Sequence, residues 1–298
     1  MVYEIYHETS FEYANLVTFS HNIARLKPKN TDTQKVLEYQ LMSSPVAYEE
    51  NEFVDFFENT NRFISIKEPH KSLILNAFSR VQRDALGIQN EIGKYYYSKI
   101  TYWELKERLK SLIPEDKCPK LYLFHTDLIP MASKEIVEYT LKSFPQNRPL
   151  FESVYEFMGR IFEDFDFVSG FSDVTTPIAV IFKEKKGVCQ DFAQFAISAL
   201  RTIGIPTRYV SGYIRTFPAE GKEKLFGTDA SHAWFSVYIP DIGWVDFDPT
   251  NNKIPNEEYI ILGYGRDYHD IAPLKGVVQS SGLSKLSVRV NVQLVENY

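Results

Sequence analysis

Along the chain, the spacing of apolar side chains changes twice. From residue 1 to about 80, short alternating runs such as Val36-Leu37-Glu38-Tyr39-Gln40-Leu41 and Arg62-Phe63-Ile64-Ser65-Ile66 are separated by turn residues, and no helical period appears. This pattern predicts a β-rich segment. Helical signatures follow. Thr101-Tyr102-Trp103-Glu104 and Ser153-Val154-Tyr155-Glu156 both have capping-box spacing, and Val154, Phe157, Met158, Ile161, Phe162 and Phe165 form one stripe behind the second. Thr176-Pro177 predicts a short helix that ends at Gly187, with proline in its first position. Phe192, Phe195, Ala196, Ala199, Leu200 and Ile203 then repeat with helical spacing on one face, and Gly204 stops the run.

Beyond this helix the period falls to two. The segment Asp229 to Ile239 alternates, Pro240-Asp241-Ile242-Gly243 predicts a turn, and Trp244 to Thr250 returns as a second strand. Ala233, Phe235, Val237, Ile239, Val245 and Phe247 are odd-numbered, whereas His232, Trp234, Trp244, Asp246 and Asp248 are even. Partners in an antiparallel ladder share a face, so burying the odd set requires pairs of equal parity, such as 234 with 248 or 232 with 248. A slip of one residue would set Phe235 against Asp248. Either allowed register brings the His232 imidazole and the Asp248 carboxylate to one face. Helices followed by antiparallel strands make the expected class α+β. By periodicity the chain divides into a β-rich N-terminal domain over 1–80, a helical connecting region over 81–150, and a core with a C-terminal β segment over 151–298.

Chemistry enters at Cys189. It follows Lys186-Gly187-Val188 and opens the helix whose apolar face begins at Phe192. Free N–H groups and the positive end of the dipole at a helix start favour thiolate over thiol. A small buried hydrophobe is the ordinary alternative for a free cysteine. The hairpin changes that balance, because a helix-borne thiol, a strand-borne imidazole and a carboxylate on the next strand form a nucleophile, base and orienter.

These segments resemble a known family. Gly187-Val188-Cys189-Gln190-Asp191-Phe192-Ala193, Ile203-Gly204-Ile205-Pro206-Thr207-Arg208-Tyr209-Val210-Ser211-Gly212-Tyr213, Asp229-Ala230-Ser231-His232-Ala233-Trp234 and Gly243-Trp244 through Asp248-Pro249-Thr250-Asn251 resemble the core of the bacterial transglutaminase-like superfamily. The openings Ile5 to Tyr13 and Ile23 to Pro28 are similar to the N-terminal domain of that branch, and Gly265 to Val277 with Leu286 to Val292 is similar to its ending. The resemblance implies a papain-like or transglutaminase-like core with Cys189, His232 and Asp248 as its triad. Two positions depart from the family pattern. Gln194 stands where relatives often carry histidine, and Asp55-Phe56-Phe57-Glu58-Asn59 lacks the glycine that usually precedes the asparagine.

The expected chemistry is acyl transfer through a Cys189 thioester. Hydrolysis of peptide, isopeptide or glutamine-type amide bonds leads, with protein-glutamine transamidation as the alternative. Gln190, Asp229, Trp234 and Trp244 are candidate substrate-binding residues, although Trp234 and Trp244 also suit ordinary packing. The polar stretch Ile214 to Thr228 reads either as a loop beside the cleft or as a surface connection. A non-catalytic binding module would call for a broken triad, which is not seen. An arylamine acetyltransferase with a similar triad fits less well, given the N-terminal β segment and Gly265-Arg266-Asp267-Tyr268.

Composition narrows the partners. At 298 residues and 44% hydrophobic the chain can bury one large core or two modest ones. A net charge of −6 without a basic block argues against nucleic acid and anionic membrane. No apolar run approaches the roughly 18 residues of a membrane span, and the opening Met1 to Tyr6 lacks signal-peptide form, so a cytoplasmic enzyme is expected. Two cysteines, Cys118 and Cys189, suit a reducing compartment without a disulfide. Isolated Cys, His and Asp ligands give only a weak zinc signal, so neither metal nor other cofactor is expected. The expected partner is a peptide or protein amide.

Overall fold

The structure is a computed structural model that describes residues 1–111, 118–216, 231–279 and 282–296. Six strands come first: β1 (Val2–Val17), β2 (Phe19–Ala24), β3 (Gln34–Ser44), β4 (Glu49–Val54), β5 (Thr60–Ile66) and β6 (His70–Arg83). Helices α1 (Ala85–Tyr95), α2 (Tyr102–Ser111), α3 (Lys134–Leu141) and α4 (Leu150–Asp164) follow, then β7 (Asp166–Phe167), α5 (Ile178–Glu184), β8 (Lys186–Gly187) and α6 (Cys189–Thr202). Strands β9 (Thr207–Ile214), β10 (Ser231–Ile239), β11 (Gly243–Phe247) and β12 (Tyr259–Gly265), helix α7 (Tyr268–Ile271), and strands β13 (Leu274–Gln279) and β14 (Ser284–Glu296) complete the order.

The early strands do not close a domain alone. They form two four-stranded sheets, β14-β1-β6-β3 and β13-β2-β5-β4, each completed by a strand from the far end of the sequence. Phe11 pairs with Leu286, Thr9 with Val288 and Ala24 with Leu274. Chain position alone groups 274–298 with the helical half, whereas the hydrogen bonding groups these strands with the first 80 residues. A period-two run specifies a strand and its buried face, but not its neighbour. Ala24, Leu26, Ile64, Ile66, Leu73, Leu75 and Ala77 form the core between the two sheets.

Helix starts follow local stereochemistry. At α2 the Thr101 N–H donates to Glu104 Oε2 at 2.8 Å and the Glu104 N–H donates to Thr101 Oγ1 at 3.3 Å, the reciprocal cap that the spacing predicts. The second predicted box fails. Helix α4 starts at Leu150, behind Pro149, so Ser153 lies buried inside it. Proline has a preset φ and no N–H to satisfy, which moves the start four residues upstream. Its inward stripe is Val154, Phe157, Met158 and Ile161, while Phe162 is 47% exposed. Helix α5 stops at Glu184, earlier than expected, where Lys185 takes a left-handed conformation. At Asp55–Asn59, Glu58 occupies the position of the family's glycine at φ 61°, and the Asp55 carboxylate accepts the Phe57 and Asn59 N–H groups at 2.9 Å each.

Helix α6 crosses one face of the antiparallel sheet β11-β10-β9-β12. Phe235, Val237, Val245 and Phe247 pack beneath Phe192, Phe195, Ala196 and Ala199 in one core. Phe235 pairs with Phe247 and Val237 with Val245, an equal-parity register. Farther along the same sheet Tyr213, Ile260 and Leu262 meet Tyr3, Ile5, Val290 and Val292 from the N-terminal sheet. The buried His7 ring bonds Tyr213 Oη through Nδ1 at 2.9 Å and Thr9 Oγ1 through Nε2 at 2.8 Å.

Burial holds the His7 imidazole down to about 4. An unfolded histidine protonates near 6.5, so the stability tied to His7 is complete above that pH and is lost as pH falls through about 4. The expected loss is on the order of 3 kcal/mol. Urea denaturation of wild type and His7→Gln at pH 7, 5.5 and 4.5 measures it. The variant should lack the part of the pH dependence below 6.5 that the wild type shows, and identical slopes would exclude the assignment.

Candidate active site

The cysteine is set by its helix cap. Val188 is extended (φ −119°, ψ 178°), and the Asp191 carboxylate in the first turn accepts the Val188 N–H at 2.7 Å and the Ser172 hydroxyl. A Cβ on Gly187 would lie 2.8 Å from Asp191 Cβ and 2.9 Å from its Oδ2, so glycine is what leaves room for this cap. Helix α6 therefore begins at Cys189, whose backbone N–H belongs to the first turn, where N–H groups have no intrahelical partner. The side chain is partly exposed.

The histidine sits where the sheet thins. Strand β11 ends at Phe247, opposite Phe235, so β10 is paired only with β9 when it reaches His232. The ring stands at that open edge, 7% exposed, beside the Trp234 and Tyr259 rings. Nε2 bonds Asp248 Oδ2 at 2.8 Å, and the ring lines one cavity with Cys189. With Nε2 committed to the carboxylate, Nδ1 is the nitrogen that remains for the thiol. Burial opposes protonation of this ring and is the largest single influence. The charge and hydrogen bond of Asp248, with the smaller contributions of Cys189, outweigh it and raise His232 to about 10.

Asp248 is wholly buried and held by five donors. Oδ2 accepts His232 Nε2, Asn251 Nδ2 at 2.7 Å and the Tyr259 hydroxyl at 2.7 Å; Oδ1 accepts the backbone N–H groups of Thr250 at 2.9 Å and Asn251 at 3.3 Å. Burial pushes this carboxyl up, but His232 and these hydrogen bonds bring it below its ordinary value. Asp248 thus stays ionised. Asp246 shares its face but looks elsewhere, accepting Trp234 Nε1–H at 3.0 Å.

The candidate substrate residues separate. Gln190 lines a cavity of about 170 Å³ together with Cys189 and His232. Trp234 and Trp244 do not. They line a different cavity, of about 490 Å³, alongside Asp246 and Arg208. Trp234 is buried completely and tilts against His232, with ring centroids 5.9 Å apart. A Cβ on Gly212 would come within 2.5 Å of the Trp234 ring, so that glycine makes room for the indole. Trp244 packs edge-on against Tyr122 and Tyr238. An even-numbered position predicts the face but not what covers it. Asp229 and the stretch from residue 217 lie outside the described residues. Gln194 is buried inside α6, and its Oε1 has no hydrogen-bond partner.

Tyr259 was not readable in advance. It lies on β12, eleven residues past Asp248, and only the tertiary fold brings it to the carboxylate. Asn251 had a signal, since Asp-Pro-Thr-Asn is a turn in which the aspartate accepts nearby N–H groups. Among the described residues no group of His, Cys, Asp and Glu could hold a metal ion. No helix there is long and apolar enough to cross a membrane.

Comparison with known proteins places this geometry. Residues 140–249 match the transglutaminase-like superfamily and residues 3–82 the bacterial transglutaminase-like N-terminal region. An uncharacterized protein of Mycobacterium tuberculosis is 32% identical over 296 residues, covering 97% of this chain and 92% of its own. A protein-glutamine gamma-glutamyltransferase of Pseudomonas aeruginosa is 35% identical over 77 residues, 25% of this chain and 11% of its own. The crystal structure of a candidate cysteine protease from Cytophaga hutchinsonii has the same fold. Its TM-score is 0.76 at 20% identity, covering all of this chain and 92% of the other.

The elevated histidine is directly measurable. In histidine-labelled protein, ¹⁵N NMR should find the His232 ring protonated at pH 8, and Asp248→Asn should lower its midpoint by roughly two units or more, because burial then meets less opposition. A wild-type midpoint near 6.5 would rule the arrangement out.

Proposed function

This chain belongs to the transglutaminase-like superfamily, with the bacterial N-terminal region ahead of the core, and on that premise we propose that it hydrolyses amide bonds through a Cys189 thioester. One observation carries the reading: the buried His232 ring bonds the Asp248 carboxylate and lines one cavity with Cys189. The His232 ring already holds the proton, so Cys189 Sγ reacts as the thiolate partner of that imidazolium and bonds to the carbonyl carbon as the C=O π electrons move to oxygen. The Cys189 backbone N–H, at the helix start, holds the oxyanion. The C–N bond breaks as His232 gives its proton to the leaving amine. Water then attacks the thioester with His232 as base, the C–S bond breaks, and an acid and the free thiol result. Asp248 holds the ring's tautomer and offsets its charge throughout.

Hydrolysis is favoured over crosslinking by the lining of the cleft. A lysine acceptor needs a carboxylate to hold its ammonium group, and no Asp or Glu lines the 170 Å³ cavity among the described residues. Transamidation is the second reading, supported by the stretch shared with the Pseudomonas gamma-glutamyltransferase. Two free thiols, at Cys118 and Cys189, support a reducing, cytoplasmic setting.

Peptide, isopeptide and glutamine-donor amides, incubated with and without a primary amine and read by mass spectrometry, test the reaction. Acid products are expected in both conditions. Amine adducts would replace hydrolysis with transamidation, and no product from any substrate would remove the enzyme reading. Cys189→Ala should abolish turnover. Asp248→Asn should lower kcat on the order of 10³–10⁴-fold, and Asp246→Asn by no more than about tenfold. The reverse ranking of the two aspartates would overturn the assigned roles.

A further inference from the structure

The wall facing Cys189 comes from the other half of the molecule. Along β1 and β14 the residues of one face begin as interdomain core, where Tyr3, Ile5, Val290 and Val292 pack on Tyr213, Ile260 and Leu262. The same face then runs past the contact. His7, and beyond it the cross-strand pairs Thr9 with Val288 and Phe11 with Leu286, reach the cavity that holds Cys189 and His232. Leu274 and Pro273 extend this wall, and Tyr268 closes it from the catalytic side. The His7 bond to Tyr213 pins the wall to the sheet that carries His232.

The lining has a definite chemistry. Among the described residues no Asp, Glu, Lys or Arg lines this cavity, and His7 is kept neutral by burial. A charged group entering it would lose hydration, and the one cation of the lining, His232, already has the buried Asp248 carboxylate as its partner. Apolar surface is exposed instead. Leu286 is 55% exposed and Val288 44%, on a strand where large aliphatic side chains are otherwise expected to be covered. The space, about 170 Å³, is close to the roughly 150 Å³ that accepts a benzene-sized group in an apolar cavity.

We propose that the N-terminal β domain supplies the acyl-binding wall of the active site, and that Phe11, Leu274, Leu286 and Val288 select an uncharged, apolar group of about phenyl or leucyl size next to the scissile carbonyl. The proposal rests on Cys189 being the nucleophile and deepens that reading by naming the acyl class. The N-terminal domain is then part of the enzyme's specificity and not an appendage.

Alkylation of Cys189 tests this without turnover. The full-length protein is treated with iodoacetamide, N-benzyl iodoacetamide, iodoacetate and an N-(2-aminoethyl) iodoacetamide, and each rate is divided by that of the same reagent with N-acetylcysteine. The benzyl reagent should saturate and exceed both charged reagents by about tenfold or more, the factor expected from burying a phenyl-sized group. Leu286→Glu should collapse that ratio. Val277→Glu, on the exposed β13 surface away from the cavity, should keep it. Equal normalised rates for all four reagents, or a preserved ratio in Leu286→Glu, would overturn the proposal. The two readings fail separately: a preference that persists in a protein without amidase activity removes the hydrolysis alone, whereas amide turnover indifferent to apolar or charged acyl groups removes the specificity alone.

Discussion

A carboxylate with no exposed surface is the most demanding group in this protein, and Asp248 is such a group. Taking an ionised carboxylate out of water costs several kcal/mol unless charge and hydrogen bonds replace the lost hydration. Here the replacement comes from three segments: the turn at Thr250 and Asn251, the β12 residue Tyr259, and His232 on β10. Each must be in place for the others to be tolerable. A site of this kind is fixed by mutual need, so the imidazole has one orientation and the thiol faces one nitrogen.

Strand β12 transmits that constraint to the rest of the molecule. Its alternation turns Tyr259 and Ile261 towards Trp234, while Ile260 and Leu262 turn to the opposite face and pack on the N-terminal sheet. One period-two strand therefore holds the catalytic carboxylate with one set of side chains and the interdomain core with the other. Because β12 also pairs with β9, which pairs with β10, a shift of the N-terminal sheet would have to move the strand that carries His232. The cleft wall and the triad are accordingly parts of one rigid arrangement, with His7 and Tyr213 as its polar link.

What the sequence disclosed was local or periodic. The α6 face from Phe192 to Ile203, its stop at Gly204, and the hairpin parity that sets His232 and Asp248 on one side all follow from spacing, and the observed pairing of Phe235 with Phe247 obeys that parity. Contacts between distant segments were not legible. Tyr259 reaches Asp248, and β14 pairs with β1, through choices among exposed edges and faces that no window of sequence contains. For Trp234 and Trp244 the two sequence readings, groove wall or ordinary packing, stay open for a related reason: parity gives their face, but whether that face borders the cleft or another cavity depends on what packs over it. Helix α4 departs from its capping-box spacing because Pro149, which has no N–H to satisfy, precedes its first turn and leaves Ser153 inside the helix.

The pairing of β1 with β14 also bears on how the site is assembled. Residues 2–13 meet residues 284–296, and the wall they form faces a cysteine near the middle of the chain, so the cleft is built from contacts of very long sequence separation. Such contacts carry the full loop-closure entropy and form late unless stable substructures precede them. The α6 helix on its sheet is one such substructure, with Phe195, Phe235 and Phe247 in a common core. The sheet that carries His232 rests on that core, whereas the cavity wall depends on the closure of the two distant strands. None of the donors that hold Asp248 comes from β1 or β14, so the exposed Leu286 side chain is no part of what keeps that carboxylate buried.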